Sequence, residues 1–195
     1  VNKSKTTDPN ETLKKVLSEN GGMAKNFDLK NTSVVFANPE RSKYGLKNNG
    51  GLEYWPVGEQ GDPKFPSPDP SKNVLEVYDD KLKNDPEALK QAIYGDLMHG
   101  MSNDKHWNQL RTEFMSNFTP EEIKRQQNRS TWWDDVNGPN ERFGSPTYDA
   151  YIRGAIADDG DWKAGQKESG GTMYSPKQLQ VLNKMKEYIK TGKVQ

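Results

Sequence analysis

The residues that could carry chemistry are few, and they gather around one short stretch. His99 and His106 are the only histidines among 195 residues, and there is no cysteine. His99 lies three residues after Asp96 in Gly95-Asp96-Leu97-Met98-His99-Gly100. On a helix, residues three and four apart share a face. A helix over roughly 86–101 therefore places Leu89, Ala92, Ile93, Asp96 and His99 together on an inward face, with Lys90 and Gln91 outside. A carboxylate and an imidazole on such a face must be paired, hydrated or metal-bound, because a lone buried charge is costly. Two readings stay open: a structural hydrogen bond or helix-end cap, and an acid/base or ligand pair in a cleft.

Other residues extend the candidate set. Glu59 follows Trp55-Pro56 in a turn flanked by Gly58 and Gly61. It is read either as a partner of Asp96 and His99 or as an ordinary surface turn residue. Arg153, amid Tyr148, Tyr151 and Ile156, could clamp a carboxylate through two parallel hydrogen bonds; a salt bridge to Asp96 or Glu59 is the structural alternative. Trp55 and Tyr151 are the candidate substrate-binding aromatics. Trp132-Trp133, near Lys124, Arg125 and Arg129, reads as a stacking surface for glycan or single-stranded nucleic acid, or as core with cation–π packing.

Several classes drop out. No Gly-x-Ser-x-Gly, phosphate-binding glycine loop or Cys/His zinc array occurs. Zero cysteine removes disulfides, thiolate metal sites and a cysteine nucleophile. The 28 basic and 28 acidic residues cancel, which argues against nucleic acid as a partner. No apolar run is long enough to span a membrane, and no charged-then-apolar leader opens the chain. The first residue is Val1 rather than Met, as expected of a processed product or an excised segment. No cofactor is expected.

The elements that must hold these residues are legible from capping signals. Asp8-Pro9, Asp85-Pro86, Thr119-Pro120, Ser145-Pro146 and Ser175-Pro176 each set a capping side chain before a proline suited to the first helical turn. They predict helices over about 9–20, 86–101, 120–135, 146–157 and 176–190, with another at 104–118 from Trp107, Leu110, Phe114 and Phe118. Strands are expected at 33–36 and 73–78, with a weaker third at 51–55. Four prolines within 61–70 exclude helix and central sheet and predict a strap, roughly 61–72, that packs Phe65 over the core. Residues 1–8 and 158–172 are expected to be mobile. Leu, Ile, Val and Phe number 33, about 17% of the chain, below the level usual for an ordinary core. The 19 aromatic residues offset that deficit. The expected fold is a single α+β domain over 9–192, mostly helical, with a small early sheet.

Two family resemblances follow from these motifs. The strand Asn73–Tyr78 and the helix ending in Gly95-Asp96-Leu97-Met98-His99 resemble the zincin metallopeptidases, whose helix carries His-Glu-x-x-His. Here the second His is kept, Asp96 stands for the Glu, and Gly95 stands for the first His. Because two histidines one turn apart grip zinc together, a degenerate motif and no metal site are expected. A broader resemblance covers most of 33–192. The run Tyr54-Trp55-Pro56-Val57-Gly58-Glu59-Gln60-Gly61, the strap, Gly95-Asp96-x-x-His99, Asp149-Ala150-Tyr151-Ile152-Arg153-Gly154 and Tyr174-Ser175-Pro176-x-Gln178 resemble domains of large multi-domain bacteriophage proteins. The resemblance implies a phage or prophage origin, other virion proteins as partners, and location in the virion or the host cytoplasm. The expected function is a non-catalytic virion-associated or injected domain. The alternatives are a hydrolase of peptide or peptidoglycan using Glu59, Asp96, His99 and Arg153, and a nucleic-acid-binding module.

Overall fold

The computed structural model describes residues 8–48, 51–117 and 176–194, with residues 99, 102 and 115 described by their backbone alone. The helices expected at 120–135 and 146–157, the segments expected to be mobile at 1–8 (all but Asp8) and 158–172, the Trp132-Trp133 pair, Tyr151 and Arg153 lie outside them. Among the described residues the fold is α+β and mostly helical, as expected. By its contacts the chain falls into two compact units. The first takes residues up to Asn103 together with Ile189–Gly192; the second runs from Asp104 to Tyr188 and includes the last three residues.

In the first unit, helix α1 (Pro9–Glu19) starts as its sequence demands. Asp8 accepts from the Asn10 N–H at 2.9 Å, and Pro9 sits in the first turn. Its stripe of Leu13, Val16 and Leu17 is buried. After the short α2 (Gly21–Ala24), strand β1 (Thr32–Phe36) leads into α3 (Pro39–Asn48) and β2 (Leu52–Trp55). The two-residue strands β3 (Gly61–Asp62) and β4 (Phe65–Pro66) pair within the strap, and β5 (Asn73–Val77) follows. Then come α4 (Asp80–Asn84), α5 (Pro86–Leu97) and a 3₁₀ segment, Met98–Asn103. The sheet order is β1-β5-β2, with β5 parallel to β1 and antiparallel to β2. On the outer side of β1, the Asn10 side chain takes the place of a neighbouring strand. It accepts from the Val34 N–H at 2.9 Å and donates to the Val34 carbonyl at 3.2 Å, closing that stretch of edge.

The period of two along each strand sorts the core into two faces. Val34, Leu75 and Val77 point to one face, against α1 and α5, where Leu89, Ile93 and Leu97 are fully buried. Val35, Val74, Glu76 and Trp55 point to the other, covered by α3 and by Phe65 of the strap. Phe65 is buried, so the strap does pack over an aromatic cluster with Trp55 and Tyr78. Helix α3 escapes the sequence reading although Asn38-Pro39 repeats the capping signal, Asn38 Oδ1 accepting from the Arg41 N–H at 2.9 Å. Its buried positions are Ser42 and Gly45, so no apolar stripe betrays it.

The second unit holds α6 (Lys105–Ser116) and most of α7 (Pro176–Thr191). Trp107, Leu110 and Phe114 are buried there, as are Val181, Leu182, Met185 and Tyr188. Asp104 accepts from the Trp107 N–H at 2.9 Å, capping α6, and from the Tyr188 hydroxyl at 2.8 and 2.9 Å. The Lys184–Glu113 ion pair at 3.0 Å ties the two helices again nearer the solvent.

Gly45 tests how tightly α3 lies on the sheet. A Cβ placed there would sit 2.4 Å from the ring of Tyr78, which is fully buried and has nowhere to retreat. Alanine ordinarily stabilises a helix by about 1 kcal/mol over glycine, but overpacking costs roughly 1–3 kcal/mol. Gly45→Ala is therefore expected to lower the thermal midpoint, followed by circular dichroism, by a few degrees. A raised midpoint would show that α3 can slide away from β5 without loss.

Candidate functional site

The Asp96–His99 turn closes α5. The inward stripe of this helix is Leu89–Ile93–Leu97, continued by Met101 in the 3₁₀ segment, all four fully buried. Asp96 is half-buried on the flank of that stripe rather than on its centre, and it is engaged in a polar interaction. The shift follows from helical angles: a stripe centred on residues four apart leaves the i+3 position at its border. Lys90, expected on the solvent side, is also half-buried and pairs with Glu19 at 2.6 Å. His99 takes its place in the backbone of Met98–Asn103.

Glu59 lies between β2 and β3. It is exposed on the turn that leaves β2, and its N–H donates to the Pro56 carbonyl at 3.1 Å. It is carried by the turn that opens the strap, whose Gly58 N–H donates to the Pro70 carbonyl at 2.8 Å. Trp55 is no open substrate platform either. It is 4% exposed, with its ring tilted against Phe65 at 5.8 Å. The reason is alternation: Tyr54 takes the α5 face, which sends Trp55 to the strap face.

What the structure brings to the Asp96–His99 turn is Tyr54. A Cβ on Gly100 would come within 3.3 Å of the Tyr54 hydroxyl and 2.3 Å of the Phe27 ring. Only glycine fits there. Phe27 meets Tyr54 edge-on at 6.2 Å, and the Tyr54 hydroxyl donates to Asn73 Oδ1 at 3.1 Å. Asn73 also accepts from the Val57 N–H at 2.9 Å, so one side chain anchors both the phenol and the start of the strap. Burial pushes the Tyr54 pKa up to about 12, so at neutral pH the group is a proton donor and not a phenolate.

The densest charged cluster is one that the sequence reading does not single out. Glu76, in the middle of β5, is 1% exposed. Arg41 of α3 grips it from Nε at 2.5 Å and from the second guanidinium nitrogen, Nη2, at 2.7 Å. Tyr78 lies within hydrogen-bond range of Glu53 at 2.7 Å and of Glu76 at 3.0 Å. Glu53 and Glu76 are cross-strand partners in the β2–β5 register, so two carboxylates face one phenol proton. Burial, then hydrogen bonding to Glu53, drives the Tyr78 pKa far above its ordinary range. Arg41 also lies 4.2 Å over the Phe65 ring, and Tyr44 stacks on the same ring at 4.2 Å. The available signal was a glutamate inside the apolar run Val74-Leu75-Glu76-Val77-Tyr78. Chemically the cluster is a closed ion pair, both Glu76 oxygens being engaged.

Among the described residues no three His, Asp or Glu side chains are grouped to hold a metal ion. No described helix is long and apolar enough to cross a membrane. Comparison with protein-family models, with curated proteins and with solved structures finds no match to this chain.

The buried phenols set an alkaline limit. Tyr54 and Tyr188 are both raised to about 12, chiefly by burial, and Tyr78 moves the same way. A phenol whose pKa is higher in the folded than in the unfolded state contributes its full stability below about pH 10, the ordinary tyrosine value. That contribution is lost as pH rises from there towards 12. Unfolding midpoints in urea should hold steady on approach to pH 10 and then fall, and Tyr54→Phe should fall less steeply than the parent. Equal slopes would mean that Tyr54 ionises freely in the folded protein.

Proposed function

We propose that the chain is a non-catalytic, virion-associated or injected domain of phage type, with other virion or phage proteins as its partners and the virion or the host cytoplasm as its location. The observation that carries this reading is how the residues of the phage-like pattern are employed. Trp55 is core. Gly58 and Gly61 hold left-handed backbone at φ +89 and +74, where a side chain is strained. Gly61 also leaves room for the Phe65 carbonyl, 2.7 Å from where a Cβ would stand. Gly100 makes way for Phe27 and Tyr54. These residues shape the fold, as suits a module kept for its form. Glu59 stands exposed on the turn between Gly58 and Gly61.

A second reading has one observation in its favour. The Tyr54 hydroxyl lies close to Gly100, the residue after His99, so a phenol stands by the turn that carries Asp96 and His99, residue types that a peptide or peptidoglycan hydrolase would use. Incubation with purified sacculi and with a peptide library separates the two. The non-catalytic reading expects no soluble fragment beyond that released by the Asp96→Ala/His99→Ala double variant. Release that the double variant loses overturns it in favour of the hydrolase. Peptide mass spectrometry of gradient-purified particles from the encoding phage should find the chain in the particle; its absence both there and in newly infected cells overturns the virion assignment.

A further inference from the structure

The strap is one excursion of residues 56–72 between the antiparallel partners β2 and β5. Its arms are tied mainly to each other. The Gly58 N–H donates to the Pro70 carbonyl at 2.8 Å, the Ser67 N–H donates to the Gln60 carbonyl at 2.9 Å, and β3 pairs with β4. Every residue from Pro56 to Lys64 is exposed, as are Pro66, Pro68, Ser71 and Lys72. Phe65 and Ser67 are the buried residues of the strap. Its proline-stiffened arms meet at Gly58 and Gly61, both in left-handed backbone. Beneath Phe65 lie the aromatic rings of Trp55 and Tyr78 and the cluster of Arg41, Glu53 and Glu76.

We propose that the strap is a lid that opens as a unit while the sheet and its helices stay folded, with Phe65 as its latch. Closed, it seats Phe65 against Tyr44, Trp55, Tyr78 and the Arg41 guanidinium. Open, it presents Trp55 and the strap side of the Arg41, Glu53 and Glu76 cluster to solvent as a trough of aromatic and paired charged groups. Two features set it apart from ordinary core. Phe65 is the one large side chain that the strap buries, whereas the elements beneath are held by ladders and helix packing. The surface it covers is also unusually polar for an interior: a buried ion pair gains little over apolar packing of the same shape.

The chain has no cysteine, so single engineered thiols report on opening without background. Ser67→Cys loses no hydrogen bond, because the buried Ser67 Oγ makes none. Val74→Cys lies under the lid, in the cluster with Trp55 and Phe65, and Val77→Cys lies on the opposite, helix-covered face. Each variant is labelled with Ellman's reagent in native buffer and in low urea. Opening of the lid expects Ser67→Cys to react at least about tenfold faster than Val77→Cys, with a shallower urea dependence, because local opening exposes less surface than global unfolding. Val74→Cys follows Ser67→Cys. Adding Phe65→Ala speeds the labels at 67 and 74 and leaves Val77→Cys protected. Equal rates and urea slopes at 67 and 77 overturn the proposal, as does loss of protection at 77 on adding Phe65→Ala, or a thiol at 74 that tracks 77. Hydrogen exchange of the unmodified chain repeats the comparison: the Ser67 and Gly58 amides exchange faster than those of β5, and equal protection counts against the lid.

Discussion

The carboxylate of Glu76 is the constraint around which one half of the first unit is arranged. It projects from the middle of the central strand, 1% exposed, where an uncompensated charge would cost several kcal/mol. Only a partner reaching in from a covering element relieves that cost. Arg41 does so with two parallel hydrogen bonds, and the demand fixes the height and rotation of α3 over the sheet. The rest follows from that placement. Ser42 and Gly45 come down on the strand end, Gly45 meeting the Tyr78 ring, and Tyr44 is turned towards Phe65. The flat guanidinium then offers Phe65 a surface to lie on. Breaking the pair from either side would leave a charge in the interior, so the strap face stands or falls with it.

The two faces of the sheet are built by different physics. Towards α1 and α5 the contacts are Val34, Leu75, Val77, Leu89, Ile93 and Leu97, and burial of aliphatic area suffices. A chain with so few aliphatic residues cannot furnish a second face of that kind. The strap face is instead closed by aromatic rings, a cation–π contact and a satisfied ion pair, all of which need specific geometry. This division bears on function. The conspicuous acidic and basic groups of the strap face are consumed by one another, while the Asp96–His99 turn, on the aliphatic side, has the Tyr54 phenol beside its Gly100.

Local signals were legible where the cause is local. Asp8-Pro9 and Asp85-Pro86 begin helices because the cap and the proline act within one turn, and Asp85 does accept from Glu87 and Ala88. The proline run excluded regular structure across 61–70 for the same reason, leaving only the minimal β3–β4 pair. Helix α3 was not legible, since its buried side is a serine and a glycine, which carry no apolar period. Trp55 was a candidate substrate-binding aromatic; its burial came from Phe65, ten residues on.

By itself the sequence determined where α1, α5, α6, α7 and the three longer strands lie, that the chain mixes a small sheet with many helices, and that two glycines turn the backbone after Trp55-Pro56. Each of these rests on interactions between residues a few positions apart. Only the tertiary structure decided that Glu76 finds Arg41 thirty-five residues away, that Asp96 lies at the border of its helix stripe, and that Tyr54 stands beside Gly100, the residue after His99. Burial and pairing arise between elements, and which face a residue presents depends on register and helix rotation set by the whole core.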